Sequence, residues 1–260
     1  MGVLEHSVVV VAGASAGMGR AVAQRCAAEG AQVVMLARGA ARLGEAAGVV
    51  GHDAWPIVCD LAEPDSVRRA FGEIGDRFGR IDALLYVAGV ARIRRIEDAS
   101  DDDIATVFGA NLLGPVYATR AATPLLRAAG GGDIVYVSSE IVDDYLPRMV
   151  LYGASKGGLE VFARQMTHEL KPDGIRVCRL TSGSVAGTGF GDNFEPHEVA
   201  AAYPEWEASG YLTRVAGPGM DAEWMADAFV FLLTRPRGQT IDVIHVRSFG
   251  HGAATVTHAD

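Results

Sequence analysis

Lysine is almost missing from this 260-residue chain: Lys156 and Lys171 are the two lysines among 23 basic residues. Acidic residues outnumber basic ones, 32 to 23, for a net charge of −9. No run of basic residues is longer than a pair such as Arg94-Arg95, so the basic stripe of a nucleic-acid binder is absent. Cysteine is also scarce. Cys26, Cys59 and Cys178 lie far apart, with no CxxC, so a disulfide framework and a structural zinc site are excluded and a reducing compartment is expected. The seven histidines form neither HxxxH nor HExxH. The apolar run Val8 to Ala12 is too short for a membrane span or a signal core. These absences point to a cytoplasmic protein with no membrane or nucleic-acid partner.

What is present is an ordinary globular composition, 49% hydrophobic and 21% charged, with a mean hydropathy of +0.17. Short β-branched runs alternate with longer Ala-rich segments of helical period. Strands are expected at Ser7–Ala12, Gln32–Ala37, Trp55–Val58, Asp82–Tyr86, Asp133–Ser138, Arg176–Leu180 and Ile241–Val246. Continuous apolar strands separated by helices imply an α/β fold. Its doubly wound parallel sheet has about seven strands, with helices on both faces. No repeat, charge block or linker divides the chain, so residues 1–260 read as one domain. Residues 185–219 break the rhythm. They are Gly-rich and carry Phe190, Phe194, Tyr203, Trp206 and Tyr211. A long irregular stretch of this kind reads as a substrate lid, or as rings filling the core beneath a loop.

After the first strand come Gly13, Gly17 and Gly19 in GxxxGxG spacing, with a helix starting near Met18. Small residues let the backbone approach a pyrophosphate, and the helix offers free N–H groups and a positive dipole end. A carboxylate ending the second strand would bond the adenosine ribose of NAD. Here the strand ends Ala37-Arg38, and an arginine pairs with the 2′-phosphate of NADP. NADP(H) is therefore preferred over NAD(H), unless Arg38 is a solvated surface residue, as Arg42 is expected to be. Asp60-Leu61 can flank an adenine, or Asp60 can cap a helix.

Tyr152 and Lys156 stand at i and i+4, on one face of a helix. A neighbouring ammonium stabilises phenolate and fits a tyrosine for proton exchange with a carbonyl or hydroxyl. Ser138-Ser139 end the fifth strand, where open α/β sheets place ligands. Ser139 lies 13 residues before Tyr152.

Gly13-xxx-Gly17-x-Gly19, Asn111, Ser139 and Tyr152-xxx-Lys156, in this order and spacing, resemble the short-chain dehydrogenase/reductase family over essentially the whole chain. The resemblance implies a Rossmann-like domain that oxidises alcohols or reduces ketones with NAD(P). It makes Tyr152 the general acid/base and Ser139 the group that orients the substrate oxygen. It makes Lys156 the group that lowers the tyrosine pKa and holds the nicotinamide ribose. Asn111 would support a water linking Lys156 to solvent. Cofactor contacts would come from Gly13, Ser15, Gly17, Met18 and Gly19 in the first turn, and from Arg38, Asp60 and Leu61 beyond the second and third strands. Ala88, Gly89, Tyr152, Lys156, Gly183, Val185 and Thr188 would complete them. A small-molecule substrate and a homodimer or homotetramer are implied.

The chain departs from the family pattern at Ala12 for Thr, Tyr86-Val87 for Asn-Asn and Ser182-Gly183 for Pro-Gly. Thr188 falls one residue late, and Arg247-Ser248-Phe249-Gly250 replace Asp-Gly-Gly. These departures keep open a non-catalytic dinucleotide sensor, and the Tyr/Lys pair is shared by isomerases and dehydratases that use the cofactor transiently. The aromatics of residues 185–219 with Tyr145 suggest a hydrophobic substrate. Arg92, Arg94, Arg95 and Arg148 suggest an acidic or carrier-linked one, or form a solvated face.

Overall fold

Five consecutive buried residues, Val8–Ala12, form β1, and its side chains alternate between two cores. The structure, a computed structural model, describes residues 2–212 and 219–248. The other strands are β2 (Gln32–Ala37), β3 (Trp55–Val58), β4 (Ala83–Tyr86), β5 (Gly132–Ser139), β6 (Ile175–Ser182) and β7 (Val243–Val246). They make one seven-stranded sheet in the order β3-β2-β1-β4-β5-β6-β7, and every pairing is parallel. The helices are α1 (Gly17–Ala28), α2 (Ala40–Val50), α3 (Pro64–Phe78), α4 (Asp101–Phe108), α5 (Gly114–Ala128), α6 (Val150–Glu169), α7 (Pro196–Ala208) and α8 (Ala222–Thr234).

Val9, Val11, Val33 and Met35 face a layer built by Val22 and Cys26 of α1, Leu43 of α2 and Phe229 of α8. Val8, Val10, Val34 and Leu36 face the opposite layer, built by Phe71 of α3, Ala118 of α5 and Leu159 of α6. This is the doubly wound Rossmann-like arrangement expected from the sequence. Chain order reverses direction between β1 and β4, and the loops leaving these two strands diverge to open a crevice at their carboxyl ends. The candidate site residues gather there. No helix among the described residues is long and apolar enough to cross a membrane.

Two expectations change. The stretch from 185 is not irregular throughout: it holds a short 3-10 turn at Phe190–Asn193 and then the thirteen-residue α7. Pro196 sits at the start of α7, where its missing N–H is harmless. Pro204 inside it, and weak apolar periodicity, hide the helix from sequence. Residues 213–218 of the expected lid lie outside the described residues, as do Phe249 and Gly250. Strand β6 also runs on to Ser182, because Thr181 and Ser182 pair with Ser138 and Ser139 on one side and His245 and Val246 on the other.

Candidate active site

A cleft of about 880 Å³ follows the carboxyl ends of the strands. At one end is the turn from β1 to α1. Gly13 has φ +93°, and a Cβ there would lie 2.6 Å from the Ala88 backbone nitrogen. Gly19 passes so close beneath that a Cβ would lie 2.1 Å from the Gly13 carbonyl oxygen. Both positions therefore require glycine for the backbone to close on itself. Ala16, the N-cap of α1, provides no side-chain cap, and no acidic residue lies in the first turn. The N–H groups and dipole of α1 are left to the cleft, which Ser15, Ala16, Met18 and Gly19 line. That opening fits an anionic phosphate group. Gly17 opens α1 but packs on Thr188 rather than lining the cleft.

Arg38 and Arg42 line the same end, beyond β2. Both are exposed, and Arg42, expected to be a bystander, stands at the cleft wall with Arg38. Asp60 and Leu61 line it as well. Asp60 does not cap α3, whose N-cap is Glu63. Its Oδ1 accepts from Ala62 N at 3.0 Å and so shapes the turn after β3. Ala88, Gly89, Gly183, Val185 and Thr188 also line the cleft, Gly89 against Lys156.

The other end holds Ser139, Tyr152 and Lys156. Ser139 closes β5, and α6 carries Tyr152 and Lys156 on one face. Lys156 is fully buried and its Nζ donates to the Val137 carbonyl at 2.8 Å. Burial pushes this ammonium down from 10.5 to about 8. Burial pushes the Tyr152 phenol up to about 12, against a hydrogen bond with Ser139 that lowers it. Lys156 was expected to lower that phenol. In the protein alone burial wins over the opposing Ser139 hydrogen bond, while the ammonium donates to Val137 O with its Nζ 5.8 Å from the ring centroid. Phe190 covers Tyr152, ring centroids 5.4 Å apart.

Asn111 stands behind the cleft rather than in its lining. It lies in a π-helical turn, Gly109–Leu113, between α4 and α5, a distortion frequent at functional sites. Its Nδ2 donates to Val90 O at 2.8 Å and to Ser155 Oγ at 2.9 Å, and its Oδ1 accepts from Val90 N at 2.9 Å. Ser155 Oγ in turn donates to the Tyr152 carbonyl at 2.8 Å. Asn111 thus fastens the loop after β4 to the first turns of α6.

Residues 7–198 match the short chain dehydrogenase family. The chain belongs to that family. It is an oxidoreductase of the short-chain dehydrogenase type. It is 32% identical over 236 residues to an oxidoreductase of Methylorubrum extorquens, covering 89% of this chain and 92% of that one. It is 34% identical over 178 residues to the human 3-oxoacyl-[acyl-carrier-protein] reductase, covering 68% of this chain and 75% of the other. The structure of L-sorbose reductase from Gluconobacter frateurii, complexed with NADPH and L-sorbose, superposes with a TM-score of 0.81 at 28% identity, over 95% of this chain and 96% of that one.

Several sequence candidates fall elsewhere in this short-chain dehydrogenase. Arg92, Arg94, Arg95 and Arg148 do not line the cleft. Those four bind carboxylates of the protein itself. Arg92 and Arg94 pair with Asp103, and Arg94 also pairs with Glu198 of α7. Arg95 and Arg148 both reach Glu205 of α7, each at 2.7 Å. Arg94, Arg95 and Arg148 hold α7 down, and Arg92 is bound to Asp103 of α4. Of the aromatics, Phe190 and Tyr211 line the cleft. Phe194 packs behind Phe190, and the Trp206 indole donates to Pro147 O at 2.7 Å. Tyr145 and Tyr203 are exposed, Tyr145 by 69%. The apolar wall comes instead from Ile141, Leu146 and Met149, between Ser139 and Tyr152. Their apolar character in an otherwise acidic loop was the available signal.

Proposed function

We propose that this short-chain dehydrogenase transfers hydride between NADP(H) and an uncharged, largely apolar ketone or secondary alcohol. The observation that carries the reading is one continuous cleft with Arg38 and Arg42 at one end and Ser139, Tyr152 and Lys156 at the other. Gly13, Ser15, Met18 and Gly19 would hold the cofactor pyrophosphate against the start of α1. Arg38 and Arg42 favour a 2′-phosphate, and Ala37 presents no carboxylate to repel it, so NAD(H) is the weaker ligand. The binding of NADPH by the structurally similar L-sorbose reductase supports this preference. When bound, the nicotinamide supplies or accepts the hydride at the substrate carbon.

In the reducing direction, Ser139 orients the substrate oxygen and Tyr152 gives it a proton as the carbon gains hydride. The products are the alcohol and a phenolate. A phenol lifted to about 12 by burial does not ionise at neutral pH on its own. The Lys156 charge on the same helix face then favours the phenolate that forms. Asn111 and Ser155 fix the turn that carries Tyr152. The Ile141, Leu146, Met149 and Phe190 side chains exclude water from the reacting bond. Exposed Leu113, Val150 and Val161 around α5 and α6 support the expected homo-oligomer.

The test is a ketone panel with NADPH, followed by nicotinamide absorbance. Turnover is expected. Tyr152→Phe should lower it at least 100-fold, the low end for an acid/base group, and leave the NADPH Kd within about two-fold. Absence of both turnover and NADPH binding would refute the proposal.

A further inference from the structure

We infer that Tyr211 determines specificity in this cleft, its hydroxyl donating to a second, uncharged oxygen on the carbon next to the reacting carbonyl. The inference rests on the ketone-reductase reading above and narrows its substrate class.

Tyr211 follows α7 and lines the same cleft as Ser139 and Tyr152. Its backbone is anchored step by step. The Trp206 indole donates to Pro147 O, Ser209 Oγ donates to Trp206 O at 2.7 Å, and Tyr211 N donates to Ser209 Oγ at 3.2 Å. Glu205, one turn earlier, is held by Arg95 and Arg148. The ring is therefore placed by a fixed helix end, while its hydroxyl has no partner among the described residues. A ligand that enters the cleft can take this hydroxyl in place of water. Burial, with the nearby carboxylates of Glu140 and Asp144, pushes this phenol up to about 12, so it stays a neutral donor at physiological pH.

The rest of the cleft says what kind of oxygen it meets. Its cations among the described lining residues are Arg38, Arg42 and Lys156. The first two belong to the phosphate end, and Lys156 is held by Val137 O. Arg94, Arg95 and Arg148 are paired with Asp103, Glu198 and Glu205, and Arg247, beside Gly183, approaches the Glu140 carboxylate at 3.9 Å. Among the described lining residues, no cation at that end is left for a carboxylate or phosphate of the substrate. The walls are Ile141, Leu146, Met149 and Phe190. The fitting ligand is an apolar-bodied ketone with one neighbouring oxo or hydroxy group.

Wild type and Tyr211→Phe are compared with NADPH on three matched pairs: 2,3-butanedione against 2-butanone, 2-hydroxycyclohexanone against cyclohexanone, and 1-phenyl-1,2-propanedione against propiophenone. The readout is the ratio of variant to wild type for each ketone, so differences in intrinsic reactivity within a pair cancel. One lost hydrogen bond predicts a fall of about five- to ten-fold in kcat/KM on the oxygenated member, chiefly through KM. The plain ketone and the NADPH Kd should change less than two-fold. An equal fall on both members, or no fall on either, overturns the assignment of Tyr211 and leaves the ketone reading standing. No wild-type turnover of any of the six, with NADPH bound, overturns the ketone reading and this inference with it.

Discussion

Lys156 is a fully buried ammonium in a chain that otherwise uses arginine almost throughout, and its place has a measurable energetic consequence. Each pH unit by which burial lowers a lysine corresponds to about 1.4 kcal/mol against the charged folded state. A fall from 10.5 to about 8 therefore costs the protein about 3 kcal/mol at neutral pH. Methionine has similar length and no charge. Lys156→Met removes that cost and loses a hydrogen bond to Val137 O worth about 1 kcal/mol. The variant should be more stable than wild type by about 2 kcal/mol at pH 7 and have lost its turnover.

The pH dependence carries the sharper test. Below about pH 8 the lysine is protonated in both folded and unfolded protein, and the penalty is complete. Between about 8 and 10.5 the folded lysine is neutral while the unfolded one still binds a proton, so wild-type stability rises with pH relative to the variant. Buried Cys26 and Cys178, each pushed up to about 12, act in the opposite direction, because unfolded thiols ionise first. That contribution is common to both proteins and cancels in their difference. Tyr152, also raised, contributes stability that is present below about pH 10 and lost as pH climbs toward 12. The window from pH 7 to 9.5 avoids it. Urea unfolding followed by circular dichroism at those two pH values should show the advantage of the variant shrinking by about 2 kcal/mol. A variant less stable than wild type at pH 7, or a gap that does not change with pH, would refute the reasoning.

Two further outcomes follow from the cleft and its cover. Arg38→Ala should raise the Kd for NADPH about 10- to 100-fold, the worth of a charge-assisted contact, while the Kd for NADH changes less than three-fold; fluorescence titration with both cofactors checks this. Glu205→Gln removes the shared partner of Arg95 and Arg148 and should loosen α7. Such partly exposed pairs are worth about 0.5 kcal/mol each, so a KM rise of about three-fold with kcat unchanged is expected. Adding 0.5 M salt should produce the same rise in wild type and little further change in the variant.

Strands β1, β2, β4 and β5 were legible because they are buried almost throughout and carry unbroken apolar runs, whereas the edge strands β3 and β7 are partly exposed. Strands β2 and β3 match their expected ends to the residue. The end of β6 did not read as strand, since Thr181 and Ser182 are polar and only their neighbours on β5 and β7 make them sheet. The glycine turn, Ser139, Tyr152 and Lys156 were legible from local spacing, which a strand end and one helix face preserve in space. The fate of the arginines was not. Glu198 and Glu205 lie more than 100 residues beyond Arg94 and Arg95, and a helix interrupted by Pro204 had to form before they could meet. Asn111 could be placed in sequence, but its partners Val90 and Ser155 come from a loop and another helix.

The departures from the family pattern are not independent losses once they are seen together. Tyr86, where the family carries asparagine, is fully buried and donates to Ala110 O at 2.7 Å, inside the π-helical turn that presents Asn111. Gly114 makes room for it: a Cβ there would lie 2.2 Å from the Tyr86 hydroxyl. At the other edge, the carboxylate of Glu140 bonds His245 Nε2 at 2.7 Å and approaches Arg247. This contact spans from β5 to β7 over β6. It passes at Gly183, where a Cβ would lie 2.8 Å from Arg247 Cβ and 3.1 Å from Glu140 Oε2. The unusual Ser182-Gly183 and Arg247 therefore share one junction. Glu140 is also the residue after Ser139, and its carbonyl holds the turn through Asp143 N and Asp144 N. Strand β7 is thereby tied to the residue that follows Ser139 of the cleft wall.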